Sequence, residues 1–97
     1  MFVQVIEMTT TKFTEVEAIM NEWMAVTEGR RSASRSLLTK DRDRPDTYVQ
    51  VVEFTSYDEA MANSALPETV ALSGKLAALC DRGLTFRNLD AVRVDQL

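Results

Sequence analysis

The chain has 97 residues, enough for one hydrophobic core and too few for two, so we expect a single domain over residues 1–97. Apolar residues make up 45% and charged residues 27%, which is the balance of a folded globular domain rather than a disordered segment. The net charge of −4 disfavours nucleic acid and anionic membrane surfaces as partners. Because no apolar run could span a bilayer and no secretory signal opens the chain, we expect a cytoplasmic protein.

Two residue types that often carry chemistry are scarce. Cysteine occurs once, at Cys80, which excludes an intramolecular disulfide and a cysteine-rich zinc site. Histidine is absent, which excludes the commonest general base, histidine-based metal sites and histidine ligation of haem. Cys80 lies in an apolar helical stripe, so we expect a packed thiol rather than a nucleophile. We therefore expect no metal and no bound cofactor.

A short repeat divides the chain into two similar halves. Residues 3–10 read Val-Gln-Val-Ile-Glu-Met-Thr-Thr, and residues 49–56 read Val-Gln-Val-Val-Glu-Phe-Thr-Ser. Five of these eight positions are identical. Each copy has the composition of a strand and leads into a helical pattern, which predicts two related β-α-β halves.

The first half is predicted to contain a strand, a helix and a second strand. The strand covers Phe2–Met8, and apolar residues at spacings of three and four then predict a helix over Phe13–Thr27. Gly29 is placed to close this helix. The second strand runs from about Arg31 to Thr39, and the charged segment 41–46 forms the turn that follows.

The second half begins with the clearest strand of the chain, Thr47–Phe54. Ser56–Glu59 forms a capping box that opens a short helix, and Pro67 fits the first position of a further helix. Gly83 is expected to end that helix, and the last strand runs over about Leu84–Val94. The resulting β-α-β-β-α-β order predicts an α+β, ferredoxin-like antiparallel sheet with its helices on one face.

Both central strands are apolar on both faces, because alternate residues of a strand point to opposite sides. One side of the third strand carries Val49, Val51 and Glu53, and the other side carries Tyr48, Gln50, Val52 and Phe54. Two main helices cover only one face of such a sheet, so the other face would leave large apolar side chains in water. We therefore expect a homodimer in which the two open sheet faces pack together.

The face that a side chain occupies decides which pocket it can line. Gln4 and Gln50 would be poorly placed beneath a helix without partners, because burying an unpaired amide costs about 1–3 kcal/mol. We therefore assign Gln4, Gln50, Tyr48 and Phe54 to the inter-sheet side and treat them as candidate ligand-binding residues. The valines of the two central strands are then expected to pack beneath the helices.

Tyr48 and Arg35 are candidate catalytic residues of this inter-sheet pocket. Tyr48 or the two glutamines would form a hydrogen bond with a substrate oxygen, and Arg35 would stabilise an oxyanion. A structural interpretation stays open, namely a core tyrosine, a cross-strand amide pair and a surface arginine, since polar groups in sheets are usually satisfied by neighbours. Arg87 and Asn88 on the last strand have the same two interpretations.

Glu7 and Glu53 occupy equivalent positions of the repeat. Two neighbouring carboxylates can raise one pKa and serve acid–base catalysis. We expect instead two strand-end carboxylates that face water or pair with arginines. Trp23 lies on the apolar stripe of the first helix, so we expect a core residue rather than a stacking platform.

Three short motifs lie between the charged turn at residues 41–46 and the helix that begins after Ser56. They are Asp43-Arg44-Pro45-Asp46-Thr47-Tyr48, then Glu53, then Asp58-Glu59-Ala60. This series resembles the D-x-P turn, aromatic strand residue, strand-end Glu and acidic-Ala helix start of the antibiotic biosynthesis monooxygenase-like group. The resemblance covers nearly the whole chain and implies the dimeric α/β-barrel fold.

The resemblance implies a cofactor-free oxygenase, because the group includes enzymes of this kind that act on polycyclic phenols and quinones. Members often carry a His where Ser64 stands and an aromatic residue where Thr55 stands. Since haem degradation in this family relies on a His ligand, the chain does not fit the haem-degrading members. We therefore expect a monooxygenase-like protein that acts on a small aromatic or polyketide-like molecule without a metal. The alternative is a non-catalytic small-ligand-binding or assembly module on the same fold.

Overall fold

Four strands and three helices form the fold in the computed structural model, which describes residues 1–97. Along the chain they are β1 (Phe2–Thr9), α1 (Phe13–Val26), β2 (Arg35–Lys40), β3 (Thr47–Phe54), α2 (Tyr57–Ser64), α3 (Pro67–Ala78) and β4 (Asp81–Asp90). The sheet order is β2-β3-β1-β4, and every neighbouring pair is antiparallel. This is the ferredoxin-like arrangement that the sequence predicts. None of the helices has the length and apolar character needed to cross a bilayer.

All three helices lie on the same face of the sheet, as two buried clusters show. The first cluster joins α1 and α3 to the central strands through Ile6, Met8, Val16, Tyr48 and Leu76. The second cluster joins α2 to the same strands through Phe2, Val52, Phe54 and Ala60. Every second residue of β1 and β3 points toward the helices, and the apolar residues among them form the core on this helix-covered face.

The assignment of faces from the sequence is wrong. Gln4, Gln50, Tyr48 and Phe54 lie on the helix-covered face, where Tyr48 and Phe54 belong to the buried core. The other face, which we call the open face, has no helix over it. It carries six apolar residues from the four strands: Val3, Val5, Leu37, Val49, Val51 and Leu89.

The reason for this reversal is that both glutamine amides have partners on the neighbouring strands. Gln4 Nε2 donates a hydrogen bond to Asn88 Oδ1 over 3.2 Å, and Gln50 Nε2 donates one to Ser36 Oγ over 3.0 Å. The penalty that argued against glutamines beneath helices applies only to unpaired amides. The two amides are therefore tolerated on the covered face, while the valines face outward.

The two glutamates of the open face form ion pairs with arginines. Arg35 Nε lies 3.5 Å from Glu53 Oε2, and Arg44 Nη2 lies 2.8 Å from Glu7 Oε1. Glu7 and Glu53 are four residues apart in register, with Glu7 opposite Val49, so they do not form a carboxylate pair. The expectation that these strand-end carboxylates pair with arginines is confirmed.

Local signals for helix starts are confirmed. Ser56 Oγ accepts a hydrogen bond from the Glu59 backbone N–H over 3.1 Å at the start of α2, and Pro67 occupies the first turn of α3. Helix ends and strand starts follow the sequence less closely. Gly83 does not end α3, which stops at Ala78, but lies inside β4 with φ +70°, directly after Arg82 with φ +62°.

Candidate ligand cavity

A cavity of about 320 Å³ lies between the helices and the sheet of one chain. All four strands and all three helices contribute to its lining, and 12 of its 19 lining residues are apolar. Its volume and its mainly apolar surface with a few polar groups match the usual small-molecule site. The cavity therefore lies on the helix-covered face, and not between two sheets as the sequence analysis expected.

The polar part of the lining is uncharged. It consists of amides and hydroxyls, from Gln4, Ser36, Gln50, Asn63, Ser64, Thr69 and Ser73. No acidic, basic, tyrosine or cysteine side chain belongs to the lining. A charged ligand would find no counter-charge there, whereas a neutral ligand loses little on leaving water and can form hydrogen bonds.

The floor of the cavity holds the two glutamines of the repeat. Their amide nitrogens are engaged by Asn88 and Ser36 on the outer strands, which leaves the carbonyl oxygens of Gln4 and Gln50 without a partner in the chain. Phe54 also lines the cavity. Three of the four predicted ligand-binding residues therefore meet at one site.

The wall opposite the floor connects α1 to α3. Trp23 Nε1 donates a hydrogen bond to Thr69 Oγ1 over 2.8 Å, and both residues line the cavity. The Arg31 guanidinium carbon lies 5.6 Å from the centroid of the Trp23 ring, and Arg31 Nη1 donates to the Met24 carbonyl over 2.8 Å. These contacts hold the Trp23 ring in place in the cavity wall. Its position on the apolar stripe of α1 is equally compatible with core packing, so the sequence alone could not predict this role.

A second connection between the same helix ends involves Arg30 and Glu68. Arg30 Nη2 lies 2.7 Å from Glu68 Oε1 and also donates a hydrogen bond to the Val26 carbonyl over 2.6 Å. The hydrogen bond from Arg30 holds the pKa of Glu68 below its ordinary value. These contacts fix the end of α1 against the start of α3 beside the cavity wall.

Asn63 is the residue of this site that sequence reasoning missed. It lies in the last turn of α2 with only 7% of its surface exposed, and it lines the cavity. Its Oδ1 accepts a hydrogen bond from the Ser32 backbone N–H over 3.3 Å, while its Nδ2 has no partner in the chain. The signal that could have found it is its i,i+3 spacing from the fully buried Ala60, which places both on the inner side of α2.

The two catalytic candidates lie outside the cavity and on opposite faces of the sheet. Tyr48 stacks on Phe13 with ring centroids 4.4 Å apart and belongs to the core, as the structural interpretation held. Arg35 lies on the open face, where its side chain is 66% exposed beside Glu53. The structure therefore does not bring Tyr48 and Arg35 together at one site.

The remaining candidates have structural positions. Arg87 lies opposite Val5 on the open face, and Asn88 holds the Gln4 amide. Cys80 packs against the first core cluster, where burial raises the pKa of its thiol. Cys, Asp and Glu side chains nowhere form a group of three or more that could hold a metal ion.

Comparison with known proteins identifies the fold. No family model and no curated protein sequence matches the chain. Among solved structures, SnoaB, a cofactor-independent oxygenase from Streptomyces nogalater, is similar with a TM-score of 0.79 and 20% identity over 96% of this chain and 94% of that chain. The chain has the fold of the antibiotic biosynthesis monooxygenase-like proteins.

Two further structures support the same conclusion. An antibiotic biosynthesis monooxygenase has a TM-score of 0.76 and 17% identity over 96% of this chain and 100% of that chain. Rv0793 from Mycobacterium tuberculosis has a TM-score of 0.80 and 10% identity over 98% of each chain. The antibiotic biosynthesis monooxygenase-like fold expected from the turn, strand and helix-start motifs is therefore confirmed, while similarity at these identities carries no information on substrate.

Proposed function

We propose that the protein is a monooxygenase-like enzyme that acts on a small aromatic or polyketide-like molecule without a metal. The observation that carries this proposal is the uncharged, mainly apolar cavity between the helices and the sheet. The fold shared with SnoaB, a cofactor-independent oxygenase, supports it. Gln4, Gln50 and Phe54 are proposed to contact the ligand.

The chemistry that fits this cavity draws all its electrons from the substrate. A phenolate or enolate is electron-rich enough to react with molecular oxygen, so that one oxygen atom enters the product and the other leaves as water. The cavity contributes shape, an apolar surface and neutral hydrogen-bonding groups that stabilise the anionic oxygen. Since no lining side chain ionises, the rate should rise with pH as the substrate itself ionises, and should level off above the substrate's own pKa.

The alternative is a small-ligand-binding module on the same fold that catalyses nothing. The same observation favours it, because a lining without an ionisable group holds no general acid or base of its own. The two functions differ in one measurable respect. An enzyme consumes oxygen when its ligand is present, whereas a binding module is only stabilised by that ligand.

The experiment combines thermal-shift and oxygen-electrode measurements with 1-naphthol and anthrone as probes. Ser73→Phe fills the cavity, while Tyr48→Phe changes a core residue outside the lining and is the control. We expect both probes to stabilise the wild type and Tyr48→Phe, but not Ser73→Phe, with oxygen uptake in the first two proteins only. Stabilisation without oxygen uptake would support the binding module, and no stabilisation would contradict both functions.

We also propose that two chains associate through their open faces. The six apolar residues of this face form a continuous patch, and its two glutamates are already paired with Arg35 and Arg44. Such a patch on a sheet is typical of a protein interface. Light scattering should give twice the mass of one chain, and a mass equal to one chain at every concentration would contradict the dimer.

A further inference from the structure

The Asn63 amide nitrogen is a hydrogen-bond donor at the cavity wall that nothing in the chain satisfies. The residue is 7% exposed and lines the cavity, and only its Oδ1 has a partner. A polar group at a cavity wall that no protein atom satisfies meets a water molecule or a ligand. A ligand in this cavity can therefore replace the water with an oxygen that accepts a hydrogen bond.

The orientation of the amide is set by the loop between α1 and β2. A backbone N–H can only donate, so the Ser32 N–H selects the carbonyl end of the Asn63 amide and leaves the nitrogen at the other position. Ser32 is itself held in place, because its Oγ donates a hydrogen bond to the Glu59 carbonyl over 2.6 Å. The next turn of the loop is fixed by the Ser34 N–H, which donates to the Glu53 carbonyl over 2.8 Å.

We propose that Asn63 Nδ2 donates a hydrogen bond to a carbonyl, enolate or phenolate oxygen of the ligand, and that Asn63 thereby decides which aromatic molecules bind. The uncharged lining suits a fused aromatic body, and the oriented amide donor of Asn63 on the helix side selects an oxygen at one edge of that body. The inference rests on the proposed function, because it takes the cavity as the site of an aromatic ligand. A neutral donor of this kind also stabilises negative charge on the oxygen when the ligand ionises.

The test uses two ligands that differ in one group. 9-Fluorenone carries a carbonyl where fluorene carries a methylene, and the two molecules otherwise have the same tricyclic shape. Trp23 is the only tryptophan and lies in the cavity wall, so its fluorescence reports binding of either ligand. The wild type should bind fluorenone roughly tenfold more tightly than fluorene, because only fluorenone satisfies the Asn63 donor.

The decisive variant is Asn63→Asp, measured at a pH well above the carboxyl range. The carboxylate keeps an oxygen for the Ser32 N–H but replaces the nitrogen donor with an acceptor. The matched control is Asn21→Asp, the same change at an exposed residue of α1 outside the lining. We expect Asn63→Asp to lose the preference for fluorenone while its affinity for fluorene is unchanged, and Asn21→Asp to behave like the wild type.

Three results would overturn the inference, and they differ in what they say about the proposed function. Equal preference for fluorenone in the wild type and in Asn63→Asp would remove the role of Asn63 and leave the cavity as a ligand site. Loss of fluorene as well in Asn63→Asp would mean that the side chain supports the shape of the cavity and does not contact the ligand. Failure of the wild type to bind either molecule would contradict the inference and the proposed function together.

Discussion

The two faces of the sheet are built from the same two central strands but differ in every other respect. The helix-covered face contains the core and a cavity whose polar groups are amides and hydroxyls only. The open face carries valines at its centre and arginine–glutamate pairs, Arg35 with Glu53 and Arg44 with Glu7, toward its ends. The cavity lining is thus uncharged, whereas the open face carries charged side chains that stay partly hydrated.

This difference indicates a division of roles. Neutral polar groups in a covered apolar cavity suit recognition of a neutral small molecule. An apolar patch with paired charges at its ends suits contact with a flat protein surface of the same kind. The ligand and the second chain are therefore expected on opposite faces, and the experiments below separate the two.

The largest effect on stability is expected from shortening a core side chain on the helix-covered face. Phe54 is 2% exposed and packs against Phe2 with ring centroids 6.2 Å apart, so Phe54→Ala should lower the free energy of unfolding by about 3–5 kcal/mol. Leu37→Ala on the open face is the comparison, and urea unfolding is the measurement. The Leu37→Ala effect should depend on protein concentration, because it acts on the dimer. If Phe54→Ala lowered the free energy of unfolding less than Leu37→Ala does in dilute protein, the proposed difference between the two faces would be contradicted.

The next effect concerns association of the open face. Val51 lies between Leu37 and Val5 across neighbouring strands, so Val51→Asp would place an unpaired carboxylate inside the proposed interface. We expect the dimer dissociation constant to rise by roughly 100-fold, which corresponds to about 3 kcal/mol. Val70→Asp is the control, because Val70 is 61% exposed on α3, outside the sheet. Sedimentation equilibrium should show dissociation of the first variant only, and equal association of both would rule out this interface.

A smaller effect is expected from charge on the ligand. The cavity lining holds no cation, so 2-naphthoate should bind roughly tenfold more weakly than 2-naphthol at neutral pH. Titration calorimetry measures both ligands under the same conditions. Tighter binding of the carboxylate would contradict binding in the uncharged cavity, because the ligand would then lie beside a cation.

The smallest effect is expected at the hairpin between β2 and β3. The Asp43 backbone N–H and the Arg44 guanidinium donate hydrogen bonds to Asp41 and hold the pKa of its carboxyl below the ordinary value of 3.8. A carboxyl with a lowered pKa in the folded state stabilises the fold above its unfolded pKa, and this contribution is lost as the pH falls through the lowered value. Asp41→Asn should therefore lower the melting temperature at neutral pH but not at pH values well below 3.8. A difference in melting temperature between the wild type and Asp41→Asn that grew as the pH fell would contradict this prediction.

Features that depend on local sequence could be predicted. The bounds of β3, the Ser56 cap of α2 and Pro67 at the start of α3 follow from alternation, a hydroxyl cap and a fixed φ angle, each of which involves only a few neighbouring residues. The ferredoxin-like order also follows, because the repeat marks β1 and β3 as the first strands of two similar β-α-β halves. The expectation that Gly83 ends α3 is wrong because a glycine with positive φ suits a strand start as readily as a helix end.

The candidate site could be predicted only in part, because it depends on pairs that are distant in sequence. Gln4 and Gln50 were recognised as special but placed on the wrong face, since their partners Asn88 and Ser36 lie on other strands. Asn63 went unrecognised, because its orientation comes from the Ser32 backbone 31 residues away. Alternation along a strand identifies two faces, but tertiary hydrogen bonds determine which face a polar residue can occupy.

The most direct test of the division between the two faces is a ¹⁵N–¹H correlation spectrum recorded while 9-fluorenone is added. The side-chain amides of Gln4, Gln50 and Asn63 and the indole N–H of Trp23 all line the cavity, and each gives its own signal. We expect these four groups to shift together, while the backbone amides of Val5 and Val51 on the open face stay unchanged. Shifts confined to Val5, Val51 and their open-face neighbours would place the ligand between two sheets and contradict the account.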